Sequence, residues 1–263
     1  MDGSRIILAA HRGDKFKRPE NTMPAFLAAI DFGVDMIETD VRMTKDKELI
    51  IIHDRSALRT AGVDKNVDEM TLAEVKELDA GHVFSDEFKN TKIPTAREFI
   101  ELAKKAGILV NWELKVYPNE FGDEVAFEVA DKLVALIEEY DMVKNSMLNS
   151  FSSRVLEYIY KKYGNRFPLH GQGIYNCRMS NDNPQISENE FFDWCCLYPN
   201  KPGFMALDFK ENFDYCVENN VLPCLCIPDN TEDYKKALEY GCKMFTSNNI
   251  YECDKVLKEL GVR

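Results

Sequence analysis

Cysteine is absent from the first 176 residues of this 263-residue chain. All eight lie in the second half, at Cys177, Cys195, Cys196, Cys216, Cys224, Cys226, Cys242 and Cys253. No CxxC pair and no Cys/His spacing of a zinc module occurs among them, which sets aside a disulfide framework and a sequence-local zinc site. Buried free thiols acting as small hydrophobes are expected instead. Also missing is any apolar run of roughly eighteen residues, so nothing is expected to span a membrane. The opening MDGSRIILAAHRG has neither the basic start nor the long apolar stretch of a secretory signal, and a reducing cytoplasm is the expected setting. Positive charge is scarce. Lys and Arg number 33 against 45 Asp and Glu, for a formal charge of −12. Such a field excludes nucleic-acid binding through bulk electrostatics, although a small phosphate-bearing substrate remains open if cations are placed locally.

What is present suits one large α/β unit. A (β/α)₈ barrel needs about 250 residues, and 45% of this chain is apolar. Short apolar runs alternate with helical patterns. Ile6 to Ala10, Met36 to Val41 and Leu49 to Ile52 read as three strands, the last two joined by the polar turn Thr44-Lys45-Asp46-Lys47. Thr22 to Phe32 reads as a helix with Pro24 in its first turn. Residues 54 to 94 break the rhythm and read as an insertion, with one helical piece at Thr71 to Leu78 and too few apolar residues for a core of its own. The alternation then resumes with strands at Ile108 to Leu114, Ser146 to Phe151, Pro168 to Ile174, Val221 to Ile227 and Lys243 to Thr246. A short apolar piece stands at Phe204 to Leu207. Near eight strands separated by helices predict a single (β/α)₈ barrel over residues 1 to 263, with the insertion after the third strand.

Polar residues close the apolar strands, and in a barrel those ends face the active site. The first strand ends at His11-Arg12, the second carries Glu38 and Asp40, the third ends at His53-Asp54, and the fourth carries Glu113 and Lys115. Residues two apart on a strand share a face. Glu38, Asp40 and Glu113 would therefore crowd three carboxylates together, which calls for a cation. An all-oxygen donor set suits Mg²⁺ or Ca²⁺; the alternative is ion pairing with Arg12, Arg42 or Lys115. His11 and His53, each closing a strand beside those acids, are candidates for general acid and base. His82 reads as solvated, and His170 as a residue of a later strand. Arg12 and Lys115 supply the positive charge that phosphate oxygens need.

Taken in order, these residues resemble the glycerophosphodiester phosphodiesterase family. The resemblance is carried by Ala10-His11-Arg12-Gly13, Pro19-Glu20-Asn21-Thr22, Gly33 to Val41, Thr44-Lys45-Asp46 and His53-Asp54. Leu58-Arg59-Thr60, Leu78-Asp79-Ala80-Gly81, Ile93-Pro94-Thr95, Glu113-Leu114-Lys115 and Ser150-Phe151 extend it. It is dense over residues 5 to 115 and thin beyond. The resemblance implies a (β/α)₈ barrel with a small inserted subdomain, and a divalent metal on Glu38, Asp40 and Glu113. It implies His11 and His53 as the acid/base pair, Lys115 beside them, Arg12 and Lys115 on the phosphate, and Glu20 and Asn21 as supporting residues. It also implies that a neighbouring glycerol hydroxyl attacks first, giving a cyclic phosphate that water opens. Two departures stand out. The seventh strand, Leu222 to Pro228, lacks the Trp that shapes the family's substrate pocket, and Met244 to Asn248 lacks an acidic residue often found there.

The expected activity is thus metal-dependent hydrolysis of a small phosphodiester to glycerol 3-phosphate and an alcohol. Lysophospholipid hydrolysis of the lysophospholipase D type is the alternative, with Val83, Phe84 and Phe88 of the insertion, and Phe191, Phe192 and Trp194 of a later loop, as candidates for an apolar rim. A non-catalytic phosphodiester-binding module is the third reading.

Overall fold

The structure, a computed structural model, describes residues 1, 3–172, 184–198, 209–228 and 230–263. Nine strands form one sheet: β1 Ile7–His11, β2 Met36–Met43, β3 Leu49–Ile51, β4 Leu109–Leu114, β5 Ser146–Ser150, β6 Leu169–Gln172, β7 Trp194–Leu197, β8 Leu222–Cys226 and β9 Met244–Ser247. Eight of them are parallel, in the order β1-β9-β8-β7-β6-β5-β4-β2, and pairing of β1 with β2 closes the ring. This is a (β/α)₈ barrel, as the alternation predicted.

Two strands differ from the sequence expectation. β3 is not a stave of the barrel: it pairs antiparallel with β2, Val41 opposite Ile51 and Met43 opposite Leu49. The five-residue link between them, Thr44 to Glu48, permits only a hairpin, because a parallel return needs a crossover of a dozen residues or more. The eighth stave is instead β7, whose Trp194 is fully buried; the sequence reading had put Trp194 in a loop. Phe191 and Phe192 beside it are buried too. The expected strand at Pro168 to Ile174 shortens to Leu169–Gln172, and its last two positions, the apolar piece at Phe204 to Leu207, and Cys177 lie outside the described residues.

The strands alternate as a barrel wall must. Leu8, Ala10, Ile37, Val110, Trp112, Leu148, Leu225 and Phe245 pack outward against the helices in the main core. Ile7, Ala9, Met36, Met147, Trp194, Cys196, Cys224 and Met244 pack in a second cluster that fills the lumen. Two positions further along, the same inward faces carry His11, Glu38, Asn111, Asn149 and Thr246, all buried. The lumen therefore changes from apolar to polar toward the C-terminal ends of the strands. The helices are delimited locally. Helix Ala96–Ala106 starts in a reciprocal capping box of Thr95 with Glu98 and ends at Gly107, a device that contributes about 1 kcal/mol. Among the described residues no helix is long and apolar enough to cross a membrane.

The insertion after β3 does have an apolar centre, which the sequence reading denied it. Ala57, Ala61, Val67, Met70, Val75, Leu78, Ala80 and Ile93 cluster there, and Ile50 of β3 and Ile52 just after it complete the set. The hairpin strand supplies what the insertion lacks. The cysteines also need a correction. Cys195, Cys216, Cys224, Cys242 and Cys253 are buried thiols outside any disulfide, as expected, but Cys196 and Cys226 are joined in a disulfide, with Cα atoms 6.0 Å apart. β7 and β8 are neighbours in the ring, so a 30-residue sequence separation becomes a cross-strand contact that linear spacing does not reveal.

Gly171 of β6 marks a tight approach: a Cβ there would stand 1.8 Å from Cε2 of Phe192. Gly171→Ala is expected to destabilise the fold by about 1–3 kcal/mol, seen as a lower urea midpoint at unchanged slope. An unchanged midpoint would mean that the ring moves aside freely.

Candidate active site

The site is assembled on a sharply folded β1 loop. Arg12 and Asn21 both have left-handed backbone, φ 60° and 55°, a costly state for side chains of this kind that needs local support. Arg12 N–H provides it by donating to the Glu38 carbonyl at 2.9 Å and to Glu38 Oε2 at 3.2 Å. Gly13 follows at φ 79°, where a Cβ would stand 2.8 Å from the Ala25 backbone; only glycine fits. Asn21 then bridges β2, with Nδ2 donating to Asp40 Oδ2 at 2.6 Å and Oδ1 accepting from Thr39 Oγ1 at 3.0 Å.

Glu38 and Asp40 of β2 and Glu113 of β4 meet in the lumen, 2%, 0% and 5% exposed, each offering an oxygen within 4.8 Å of the others. Two cations stand against them. Lys115 Nζ contacts Glu113 and lies 3.2 Å from Asp40 Oδ1, and Arg12 Nε lies 3.1 Å from Asp40 Oδ2. The charges divide unequally. Burial opposes ionisation of Asp40, but Lys115 and Arg12 outweigh it and hold that carboxyl well below its usual range. Burial, reinforced by Asp40 and Glu113, drives Glu38 well above its usual value, and burial raises Glu113 despite Lys115. Glu38 Oε1 accepts no hydrogen bond, and Asp40 Oδ1 has only its ion pair with Lys115. Buried, hard oxygens so placed could hold an oxygen-seeking divalent cation.

Each candidate histidine is held at one ring nitrogen. His11 Nδ1 lies 2.5 Å from Asn248 Oδ1, and its Nε2 is 3.8 Å from Glu38 Oε2. His53 Nδ1 lies 2.5 Å from Asp54 Oδ1. β3 runs back toward Asp40, with Ile52 N–H donating to the Asp40 carbonyl at 3.0 Å, and so delivers His53 to the mouth. Burial, then Arg12 and Lys15, keep His11 well below an ordinary imidazole. Burial, then Lys115, push His53 down to about 4.

Glu20 is a hub at the rim. It accepts from Arg12 at 2.9 Å and from both amino groups of Arg59 at 3.0 and 2.7 Å. Burial opposes its charge, but the Arg59 hydrogen bonds and Arg12 keep it strongly acidic. Arg59, from the insertion, also donates to Asp54 Oδ2 at 2.6 Å. His11, Arg12, Glu20, Asn21, Glu38, Asp40, His53, Glu113 and Lys115 thus form one connected constellation, while His82 is exposed in the insertion beside Asp79.

Sequence reasoning missed Asn248, Asp54 and Arg59 as site residues. The His53-Asp54 adjacency was the available signal for Asp54; nothing local marks Asn248, 237 positions from His11. It also undervalued His170, which lies in the lumen and shares a small cavity of about 20 Å³ with His11, Glu38, Glu113 and Cys226.

The model of the glycerophosphoryl diester phosphodiesterase family matches residues 11–249. A protein of Caldanaerobacter subterraneus subsp. tengcongensis named glycerophosphodiester phosphodiesterase is 38% identical over 152 residues, 56% of this chain and 59% of that protein. A Mus musculus protein named lysophospholipase D is 29% identical over 159 residues, 58% of this chain and 48% of that protein. These matches span about 48–63% of the length of such relatives. Among solved structures, an Oleispira antarctica phosphodiesterase in complex with the product sn-glycerol-3-phosphate superposes with TM-score 0.80 at 20% identity, covering 96% of each chain. A Silicibacter pomeroyi protein described as a glycerophosphoryl diester phosphodiesterase gives TM-score 0.82 at 20% identity, covering 98% of this chain and 95% of that one.

Two outcomes follow from the electrostatics. Glu38→Gln removes a charge that burial disfavours, so the metal-free variant should be at least as stable as the parent while losing the rise in melting temperature that Mg²⁺ or Ca²⁺ gives the parent. Thermal melts with and without chelator decide this; a marked destabilisation of the metal-free variant would make Glu38 a structural ion-pair partner. The second outcome concerns pH. Burial holds His170 down to about 3 and is the first cause at His53, down to about 4. Unfolded, each takes up a proton near 6.5. The unfolded state therefore binds more protons between those values, and stability is lost as pH falls from about 6.5 toward 4. Glu38 and Glu113, raised by burial, act the other way. The wild type minus His170→Gln difference in urea unfolding isolates His170: its slope should be about 1.4 kcal/mol per pH unit within the window. Parallel curves would contradict the burial argument.

Proposed function

The chain belongs to the glycerophosphoryl diester phosphodiesterase family, and on that premise we propose that it hydrolyses glycerophosphodiesters to glycerol 3-phosphate and an alcohol. The observation that carries this reading is one constellation holding two low-pKa imidazoles, three buried carboxylates and two cations. Glu38, Asp40 and Glu113 are the residues to hold a divalent cation, Mg²⁺ or Ca²⁺; their buried, clustered oxygens, with Glu38 Oε1 unpartnered among them, fit it. Such an ion supplies charge neutralisation of the phosphodiester and polarisation of a phosphoryl oxygen.

The chain's own groups do the rest. Arg12 presents a planar fork and Lys115 a point charge to the phosphate oxygens, and Glu20 aims the Arg12 fork. His11 and His53 move the protons. With Nδ1–H donated to Asn248 and to Asp54, each ring keeps its Nε2 lone pair for the reaction. One imidazole takes the proton of the attacking hydroxyl, the glycerol hydroxyl next to the ester, as the P–O bond to the new cyclic phosphate forms. The other, which takes up a proton as the anionic diester binds beside it, gives that proton to the departing alcohol oxygen. In the second half the roles reverse as water opens the ring.

Lysophospholipid hydrolysis is the second reading. One observation favours it: Val83 and Phe84 of the insertion are 50% and 45% exposed and flank a groove of about 220 Å³ shared with Glu20 and Arg59. Phe191, Phe192 and Trp194 are buried and take no part in a rim.

Release of glycerol 3-phosphate from glycerophosphocholine and glycerophosphoethanolamine, with Mg²⁺, with Ca²⁺ and with chelator, tests the reaction. His11→Ala and His53→Ala should each cost at least about a hundredfold in kcat. The acid is the histidine whose loss is tolerated when the leaving group is an aryl alcohol that needs no proton. Near wild-type turnover in both variants would dismiss the assignment. Turnover of lysophospholipids alone, lowered by Phe84→Asp, would favour the second reading, and cation binding without turnover of any diester would leave a binding module.

A further inference from the structure

Three neighbouring strands send soft donors to one place in the lumen. β6 contributes His170, β7 Cys196, and β8 Cys224 and Cys226, all buried. One ligand atom from each lies within 4.8 Å of the others. The period of β8 sets Cys224 and Cys226 on its inward face, and the register places Cys196 opposite Cys224. The reaction described above uses none of the four.

Packing explains buried thiols but not this histidine. His170 Nε2 is buried without a hydrogen-bond partner, and so is Asn111 Oδ1. His170 Nδ1 and Asn111 Nδ2 lie 3.0 Å apart. Turning the Asn111 amide over, an exchange of nearly identical oxygen and nitrogen atoms, lets Oδ1 accept from Nδ1–H. The amide nitrogen then takes the place that Oδ1 held without a partner, and Nε2 keeps a free lone pair. An imidazole that gives one N–H to a carbonyl while its other nitrogen stays bare is the usual arrangement of a metal-bound histidine. The sulfur spacing agrees. In a tetrahedral site with metal–sulfur bonds of about 2.3 Å, neighbouring sulfurs stand about 3.8 Å apart, and Cys224 Sγ lies 3.7 Å from Cys226 Sγ.

We infer that His170, Cys196, Cys224 and Cys226 form a second cation site, for a thiophilic ion of the zinc class, separate from the hard oxygen site on Glu38, Asp40 and Glu113. Three sulfurs and one imidazole nitrogen complete a four-coordinate set. The Cys196–Cys226 disulfide must open first. Two molecules of an external thiol reduce it, giving two protein thiols and one external disulfide. On loading, the three cysteine thiols release three protons to solvent as three sulfur–metal bonds form, and neutral His170 lends its lone pair. Disulfide and bound ion exclude one another, so occupancy follows the thiol state of the surroundings. The cavity shared by Cys226, His170, Glu38 and Glu113 sets this second ion beside the reaction site.

Cobalt substitution of the full chain tests the inference. Wild-type protein, reduced with a phosphine and freed of metal, should take up one equivalent of Co²⁺ with thiolate-to-cobalt charge-transfer absorption and the strong visible bands of a tetrahedral ion. Zn²⁺ should bleach both. Glu38→Gln, in the oxygen site, and Cys242→Ser, a buried thiol outside the cluster, should leave the bands in place. His170→Gln and Cys224→Ser should weaken Zn²⁺ binding by at least about tenfold, and reoxidised protein should show no bands. If those variants do not fold, alkylation of the reduced wild type supplies the answer: Zn²⁺ should protect Cys196, Cys224 and Cys226 and no other cysteine. Reduced, folded wild type that shows no charge-transfer band in excess Co²⁺, bands that survive Cys224→Ser, or protection absent from those three cysteines, would each overturn the site.

Discussion

Three carboxylates share a dry space that cannot hold three negative charges unaided, and much of the mouth is arranged around that constraint. Asp40 stays ionised only because Lys115 and Arg12 lean on it, while Glu38 and Glu113 are driven toward their neutral forms. Closing the sheet into a ring is what imposes the crowding, since inward faces of adjacent staves have nowhere else to point. The strained β1 loop exists to bring a guanidinium to that place: Arg12 reaches Asp40 because its own N–H is tied to Glu38 and its backbone turns left-handed. A buried ionic group of this kind is a poor way to gain stability. That cost is a physical ground for the cation proposed on Glu38, Asp40 and Glu113.

The constellation was legible because its members close apolar strands in order. His11, Glu38, Asp40, Glu113 and Lys115 each sit where a strand period puts them on an inward face, and period is a local property of sequence. What stayed hidden depends on pairing between distant segments. The run Leu49 to Ile52 says strand but not direction; its short link to β2 was the clue to a hairpin. β7 is four residues long and preceded by two phenylalanines, so it read as an aromatic loop. The cysteines looked unrelated because β7 and β8 are separated in sequence by the segment that crosses between them. Asn248 is invisible on its own, and only the β1–β9 pairing brings it to His11.

The insertion illustrates how a local reading can undercount a core. Its own apolar residues are few, yet Ile50 and Ile52 belong to the same cluster. β3 borrows order from β2 by pairing, lends apolar surface to the insertion, and leads into His53.

That places one of the two histidines proposed for proton transfer on the ring, at the end of β1, and the other on a segment that lies outside it. Arg59 is the tie between them, gripping Asp54 behind His53 with one edge and Glu20 behind Arg12 with the other. A drift of the insertion by even a fraction of an ångström would misalign imidazole and guanidinium in the same stroke. Alignment across the rim therefore leans on one guanidinium in addition to the Arg42 hold on the His53 carbonyl, and transplanting this insertion between barrels should carry that arginine and both of its acceptors together.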